Sequence, residues 1–174
     1  MTMRPRLHKL ALTAHITSSV GWLGAVIGFL ALAVAGLVTE DVQIVRAVFL
    51  AMELTGWFVL VPLALASLLT GLVQSLCTTW GLFRHYWVLF KLLINLFATL
   101  VLLLYTQTLS TMGNVAAQTT LSNDDLSLLE GPSAVLHAAA AMLLLLVATV
   151  LAVYKPRGMT RYGQSKLHEQ RGRP

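Results

Sequence analysis

Four long apolar segments, almost free of charged residues, constrain this chain more than any other feature. They cover about residues 10–38, 47–76, 87–107 and 133–154. Each is long enough to cross a bilayer as a helix, since about 20 apolar residues span a hydrocarbon core of about 30 Å. Charged residues make up only 11% of the chain, against about 25% in an ordinary soluble domain. The sequence therefore predicts an all-α, four-helix transmembrane bundle over residues 11–154, with residues 1–10 and 155–174 outside the membrane.

The basic residues fall on one side of this four-span topology. Of the twelve Lys and Arg residues, all except Arg46 precede the first span, lie around the connection between spans two and three, or follow the fourth span. Arg46 lies on the other side, together with the acidic residues of segments 40–41 and 124–130. Because membrane proteins retain Lys-rich and Arg-rich segments in the cytoplasm, both termini are predicted to be cytoplasmic. Basic residues that flank spans do not form the single basic face of a nucleic-acid-binding domain, so no nucleic-acid partner is predicted.

Two segments outside the spans have a recognisable character. The stretch SNDDLSLLEGP, residues 122–132, predicts a short helix in the external loop between spans three and four. Ser122 or Asn123 can cap this helix, acidic residues occupy its first turn, and Gly131 with Pro132 ends it. The tail over residues 155–174 is polar and basic without helical periodicity. We expect it to be flexible and to lie on anionic lipid headgroups.

Polar and small residues within the spans predict which helix faces meet, since polar side chains in a membrane usually turn toward the bundle interior. At 100° per residue, one stripe of span two collects most of them, with Pro62 as a possible kink. That stripe consists of Glu53, Gly56, Trp57, Leu60, Ala64, Ser67, Gly71, Gln74 and Ser75. In span one, small residues share a side that indicates close packing against a neighbouring helix or a second copy. The residues predicted for helix packing are Gly21, Gly24, Gly28, Ser67 and Gly71.

Depth along the spans divides the polar residues into two predicted clusters. The outer cluster, in the half of the bilayer away from the termini, consists of Glu53, His137, Tyr105 and Arg46. The inner cluster, in the half near the termini, consists of His15, Ser19, Gln74, His85, Lys91 and Asn95. Because His15 and His137 lie near opposite ends of a span of about 30 Å, they are not expected to share a metal ion.

Several of these residues have both a functional and a structural interpretation. A charge at the middle of a membrane helix costs about 2.5–3.5 kcal/mol on insertion scales and indicates function by default. Glu53 is therefore either a proton or cation site or a structural carboxyl that bonds to a neighbouring helix. His15 and His137 are either ligands or packing residues, and Lys91 either joins the inner cluster or snorkels to the membrane surface. No catalytic motif occurs, so no catalytic residue is predicted, and the single Cys77 can form no intrachain disulfide.

Four stretches carry a resemblance to known families. They are HITSSVGWLGA (15–25), LTGWFVLVPLALASLLTGLVQSL (54–76), WGLFRHYWVLFKLLIN (80–95) and YKPRGMTRYG (154–163). Over nearly its whole length the chain resembles a family of small bacterial integral membrane proteins that bears only a domain-of-unknown-function label. That resemblance implies a four-helix form in the bacterial inner membrane. More distantly, His15 ahead of Trp22, with Lys91 at the start of span three, is similar to copper-resistance protein D and to membrane b-type cytochrome bundles. Those proteins often bind haem or metal through paired histidines, which here implies haem b or copper at His15 and His85.

Three functions are therefore expected as alternatives. The first is a non-enzymatic accessory or assembly protein that acts with the bilayer and with a second copy or another membrane protein. The small-residue faces and the missing catalytic motif favour it. The second is a small transporter or permeation element that uses Glu53 as its proton or cation site. The third is a membrane redox protein with haem or copper at His15 and His85.

Overall fold

Six α-helices and one π-helical turn make up nearly all of the described chain. A computed structural model describes residues 4–77, 82–118, 122–129, 131–156 and 158–165. The elements are α1 (Pro5–Val38), α2 (Val42–Thr55), the π turn (Gly56–Leu60), α3 (Val61–Cys77), α4 (Tyr86–Ala116), α5 (Asn123–Leu129) and α6 (Ser133–Tyr154). Because α2, the π turn and α3 follow one another without a break, they form one continuous rod.

Four helical stretches are long and apolar enough to cross a membrane. They are α1, the rod over Val42–Leu76, α4, and the stretch Ser127–Tyr154 that contains α6. Many of their large apolar side chains point away from the bundle, such as Val20, Leu69 and Phe97, each at least half exposed. Such a surface suits contact with lipid rather than water. The chain is therefore a multi-pass membrane protein with an all-helical bundle, as the sequence predicts.

The four spans form a ring in the order α1, rod, α4, α6. α1 packs against the rod and α6, and α4 packs against the same two neighbours. The core between them contains large apolar side chains such as Trp22, Phe29, Met52 and Leu109. We call the end where α1 and α4 begin and where α3 and α6 finish the basic end. The opposite end, which contains the α1–α2 connection and α5, is the acidic end.

α4 is longer than the sequence predicts, because it continues past Gln107 to Ala116. Polar residues between 108 and 116 lower the hydropathy there, which places the predicted end of the span too early. The helical period nevertheless continues through this part, since Leu109, Met112, Gly113 and Ala116 are all buried at spacings of three or four residues. This extension of α4 packs against α2. α1 and α2 likewise begin five residues earlier than predicted, at Pro5 and Val42.

The expected kink at Pro62 takes the form of the π turn. Proline has no N–H, and its ring presses on the carbonyl four residues earlier, which disfavours regular α-helix. The Val61 N–H accordingly donates to the carbonyl of Gly56, five residues back. The predicted inward stripe is confirmed within this turn and after it, because Gly56 and Ser67 are buried. Trp57 is an exception: the altered backbone leaves it 45% exposed, with its indole N–H donating to the Ser110 hydroxyl at 3.0 Å.

The expectation of a flexible tail is wrong for residues 158–165, which fold back onto the segment before α4. The Tyr86 N–H donates to the Gly158 carbonyl at 3.3 Å, and the Thr160 N–H donates to the Arg84 carbonyl at 3.0 Å. Gly163 faces the same carbonyl so closely that a Cβ there would lie 2.5 Å from the Arg84 oxygen. Because most of these contacts use backbone atoms, side-chain periodicity does not reveal them. Residues 166–174 of the tail lie outside the described residues.

Candidate functional site

A cavity of about 640 Å³ lies between α1, α3, α4 and α6 at the basic end of the bundle. Leucine, isoleucine, valine and alanine side chains form much of its wall. Its polar and basic lining consists of His8, His15, Ser19, Ser67, Gln74, Ser75, Lys91, Asn95, Thr149 and Lys155. Five of the six residues predicted for the inner cluster, namely all but His85, therefore line one cavity.

His15 is the best-connected polar residue of this cavity. Its Nδ1 lies 3.2 Å from the Ser67 carbonyl oxygen and 3.2 Å from the Thr70 hydroxyl. Its Nε2 lies 3.1 Å from Nζ of Lys91. Because a carbonyl only accepts and an ammonium only donates, we assign the proton to Nδ1 and the lone pair to Nε2. His15 is thus a neutral imidazole that accepts a hydrogen bond from Lys91.

Two α3 residues predicted for helix packing hold this imidazole in place. A Cβ on Gly71 would lie 3.0 Å from Cε1 of His15, so glycine at this position makes room for the ring. Ser67 is only 1% exposed, and its hydroxyl lies 2.8 Å from the hydroxyl of Ser19. Hydrogen bonds at His15 and, one helical turn later, at Ser19 therefore join α1 to α3.

Gln74 and Asn95 bring amide groups to the same space. Gln74 lies one turn after Gly71, and its Nε2 is buried without a hydrogen-bond partner among the described residues. Asn95 lies one turn after Lys91 in α4 and is buried. The amide nitrogen can only donate. The cavity therefore contains at least one donor that no described protein group satisfies.

Lys91 joins the cavity rather than snorkelling to the membrane surface. Its stem is half-buried, and its Nζ turns toward His15. Among the described residues no carboxylate pairs with Lys91, and no Asp or Glu lines the cavity. The electrostatic character of the site is therefore basic, with a neutral imidazole as the partner of the lysine.

His85 is the predicted inner-cluster residue that does not line the cavity. It precedes α4 in an extended conformation and pairs through its backbone with Met159 of the folded-back tail. Its ring lies 6.5 Å from the ring of Trp87. Because Nε2 of His15 already accepts from Lys91, ligation of a haem or copper ion by that nitrogen would require Lys91 to move. Within the described residues, no group of three or more His, Cys, Asp or Glu side chains could hold a metal ion.

The predicted outer cluster does not form as one group. His137 stacks on Tyr105 with ring centroids 4.2 Å apart, and its Nδ1–H donates to the Ser133 carbonyl at 2.8 Å. Glu53 instead packs against Gly113, where an added Cβ would overlap its carboxylate. Tyr105 and Gly113 are eight residues apart in α4, which is about 12 Å along the helix axis. Glu53 and His137 therefore meet different parts of α4.

Arg46, the fourth outer-cluster residue, binds the end of α4. Its Nε donates to the Ala116 carbonyl at 2.8 Å, and its terminal nitrogen donates to the Gln118 carbonyl. The contact exists because α4 extends to Ala116, beyond the predicted end of that span. The last carbonyls of a helix have no partner within the helix and attract cations. Arg46 thus serves as a cap for α4, and not as a partner of His137.

The glycines of α1 divide between two surfaces. A Cβ on Gly21 would meet the Leu63 side chain at 3.5 Å, so this glycine lies at the contact with α3. Gly24 and Gly28 have no described atom within 4 Å of that position and are exposed. Gly24 and Gly28 therefore do not pack against another helix of the described bundle, and their packing against a second copy stays a prediction. They face outward, toward lipid or another protein.

Several residues of these sites were not predicted from the sequence, among them Thr70, Gly113 and the cavity-lining His8, Thr149 and Lys155. Thr70 contacts the imidazole of His15, and its position three residues after Ser67 on the inward side of α3 could have indicated it. Gly113 accommodates Glu53, but it lies beyond the predicted end of span three. Only the spacing of apolar residues after Gln107 could have indicated that the helix continues.

Comparison with known proteins returns no match: no family, no curated protein and no solved structure is significantly similar to the chain. The basic-end cavity and the contacts that build it are consequently the basis for inferring a function.

Proposed function

We propose that this chain is a non-enzymatic accessory protein of the bacterial inner membrane, and that its cavity at the basic end holds a small ligand. The observation that carries the proposal is the convergence of five inner-cluster residues on one cavity of about 640 Å³. Ligand sites in proteins usually enclose about 300–1,000 Å³ and combine apolar walls with a few placed polar groups. The accessory role is supported by the absence of a catalytic motif in the sequence and by the outward-facing Gly24 and Gly28.

Blocking the cavity tests this proposal. Ala152 lines the cavity on α6, so Ala152→Phe should fill it. Ala140 lies on the same helix but faces outward, and Ala140→Phe is the matched control. Native mass spectrometry of the protein released from its own membranes should show an added small-molecule mass for the wild type and for the control. That mass should be lost from Ala152→Phe, and its absence from all three proteins would contradict the proposal.

The orientation with both termini in the cytoplasm is part of the same proposal. It is supported by Arg4, Arg6, Lys9 and Arg84 at the basic end and by Glu40 at the opposite end. Single cysteines in a Cys77→Ala background test it, at the exposed positions Ser122 and Gln164. An impermeant maleimide should label Ser122→Cys in intact cells and Gln164→Cys only after permeabilisation. The reverse pattern would overturn the orientation.

A second candidate function, proton or cation permeation through Glu53, is favoured by one specific observation. The Glu53 carboxylate packs on Gly113 of α4. Glu53 itself lies in the last turn of α2, just before the π turn over Gly56–Leu60, and π turns are frequent at functional sites. If Glu53 carries protons or cations, Glu53→Gln should abolish the flux of that proton or cation into proteoliposomes. The control Glu40→Gln alters an exposed carboxylate of the α1–α2 connection and should leave flux unchanged. Equal flux in Glu53→Gln and wild type would exclude this function.

A further inference from the structure

The charge of the cavity lining narrows the chemistry of its ligand. Lys91 contributes a positive charge to the cavity and the histidines His8 and His15 line it beside this lysine, whereas no Asp or Glu of the described chain does. Nζ of Lys91 donates to a neutral imidazole nitrogen and not to a carboxylate. A positive charge within a membrane protein is costly unless an opposite charge or strong acceptors accompany it. An anion bound beside Lys91 would supply both.

The unpaired hydrogen-bond donor in the cavity also favours an anionic ligand. Nε2 of Gln74 is buried without an acceptor among the described residues, and a buried donor that lacks an acceptor is destabilising. Gln74 and Lys91 line the same cavity, on the adjacent helices α3 and α4. A carboxylate or phosphate has several acceptor oxygens. It could therefore accept from the ammonium and the amide together.

Much of the remaining wall is apolar and extends well beyond these polar groups. Leu12, Leu23, Leu68, Leu92 and Leu145 line it. Along α1 the lining runs from His8 to Leu23, a distance of about 22 Å at 1.5 Å per residue. A small inorganic anion would contact only the polar part. An apolar chain attached to the anion would also cover the leucine side chains.

We propose that the basic-end cavity binds an anionic amphiphile, with a carboxylate or phosphate headgroup held by Lys91 and Gln74 and an apolar chain along the leucine-lined wall. This inference rests on the proposed function, since it names the class of ligand that the cavity holds. The headgroup lies beside Lys91, and the His15–Ser67 hydrogen bond keeps the imidazole turned toward the lysine.

Binding of matched probes tests the proposal. The full-length protein in phosphatidylcholine nanodiscs is titrated with dodecanoate, dodecyl phosphate, dodecanol and inorganic phosphate, and binding to empty nanodiscs is subtracted. Dodecanoate and dodecanol differ at the headgroup and share the length of their chain. We expect both anionic amphiphiles to bind at least about tenfold more tightly than dodecanol, the size expected for one charge-assisted hydrogen bond. Inorganic phosphate should neither bind measurably nor displace them.

Variants assign this preference to the cavity. Lys91→Gln should weaken dodecanoate binding about tenfold or more and leave dodecanol binding nearly unchanged. Lys9→Gln, which removes an exposed lysine of α1 that does not line the cavity, is the matched control and should change neither. Gln74→Glu places a negative charge in the cavity and should reduce dodecanoate binding selectively. It supplies an independent result if Lys91→Gln does not fold.

Each negative result of these binding experiments contradicts a different part of the proposal. Equal binding of dodecanoate and dodecanol would overturn the anionic headgroup while leaving the cavity a ligand site. Inorganic phosphate that binds as tightly as dodecyl phosphate would overturn the amphiphile and indicate a free-anion site. Loss of selectivity in Lys9→Gln, equal to the loss in Lys91→Gln, would show general surface electrostatics and overturn the site. If none of the four probes binds, and Ala152→Phe also loses no native ligand, the proposed function itself fails.

Discussion

Arg46 at the acidic end and Lys91 at the basic end are both long cationic side chains at the margin of an apolar bundle, yet their hydrogen-bond partners differ. Arg46 donates to two carbonyls at the end of α4, which supply the acceptors that a cation needs. Lys91 extends into a cavity, where a neutral imidazole nitrogen is its partner. The acidic end thus satisfies its cation within the protein, whereas the basic end leaves donors available for a ligand.

The same contrast holds for another polar residue at each end. Glu53 is pressed against Gly113 so closely that no additional carbon fits, and the neighbouring α2–α4 contact is filled by Met52 and Leu109. His15 also has a glycine, Gly71, on one side, at a looser contact, and its other side opens on the cavity. A charged or polar residue in a membrane span therefore indicates a ligand site only where the surrounding protein leaves both space and unsatisfied groups.

The largest expected effect comes from filling the tight acidic-end contact. Gly113→Val would overlap the Glu53 side chain, and overpacking of this kind typically costs about 1–3 kcal/mol. We expect a loss near the upper end of that range in the free energy of unfolding, measured in mixed micelles with increasing SDS. Glu53→Ala in the same chain should recover most of it. Without that recovery, the contact between Glu53 and Gly113 would not be the cause.

Gly24→Val is the matched control, because its side chain would point into open space. Substitutions away from specific features usually change stability by less than about 0.5 kcal/mol, and we expect the same here. A large loss that depends on protein concentration would instead show that Gly24 packs against a second copy. The outward face of α1 would then be an interface.

Removing the cap on α4 should have the next largest effect. Arg46→Met keeps an apolar stem of similar length but removes both hydrogen bonds to the carbonyls of Ala116 and Gln118. A hydrogen bond that involves a charged group contributes about 1.5–3 kcal/mol, and water near the helix end will replace part of it. We therefore expect a loss of about 2 kcal/mol in the free energy of unfolding. Arg46→Lys should retain part of the stability, and an unchanged Arg46→Met would break the contrast between the two ends.

The basic-end cluster was largely predictable, and the reason is physical. Polar residues at one depth of a helical bundle have few places to go except the interior. The period of 3.6 residues then places Gln74 and Ser67 on one side of α3, as it places Lys91 and Asn95 on one side of α4. Residue type and spacing suffice for such a prediction. His85 was predicted for this cluster but lies outside it, because its position depends on backbone pairing with Met159, which involves no side-chain pattern.

The acidic-end cluster was predicted only in part: Tyr105 and His137 do stack, but the positions of Arg46 and Glu53 depended on where a helix ends. The prediction ended span three at Gln107, while the helix continues to Ala116. Arg46 and Glu53 contact that extension and not Tyr105. The π turn adds a second error, because a change in hydrogen-bond register alters which side chains after Glu53 face inward. A hydropathy average over a span reveals neither the end of α4 nor the π turn.

A smaller effect is expected from the hydrogen bond that joins α1 to α3 at the basic end. The hydroxyls of Ser19 and Ser67 lie 2.8 Å apart, and interhelical hydrogen bonds in membrane proteins average about 0.6 kcal/mol by double-mutant cycles. We expect a coupling energy of about that size from Ser19→Ala, Ser67→Ala and the double variant, measured by unfolding in SDS. Ser110→Ala, which affects the exposed indole of Trp57, should show no coupling to Ser19→Ala. A coupling of zero between Ser19 and Ser67 would mean that this contact does not hold His15 in place.

The smallest effect concerns α5, beyond the tightly packed part of the acidic end. The hydroxyl and the backbone N–H of Ser122 both donate to the Asp125 carboxylate. These two hydrogen bonds, of which the one from the hydroxyl has the larger effect, hold the pKa of Asp125 below the usual range of an aspartate. A carboxyl whose pKa is lowered by folding stabilises the cap above the ordinary aspartate pKa, and that contribution is lost as the pH falls through the lowered pKa. Ser122→Ala should therefore raise the pKa of Asp125 toward its ordinary value in an NMR titration of the side-chain carboxyl. Ser127→Ala removes a hydroxyl that donates to the Asp124 carbonyl and not to Asp125, and it should leave that pKa where it is. If both variants titrate like the wild type, the Ser122 cap does not form in solution, and α5 is held at the acidic end by the burial of Leu129 instead.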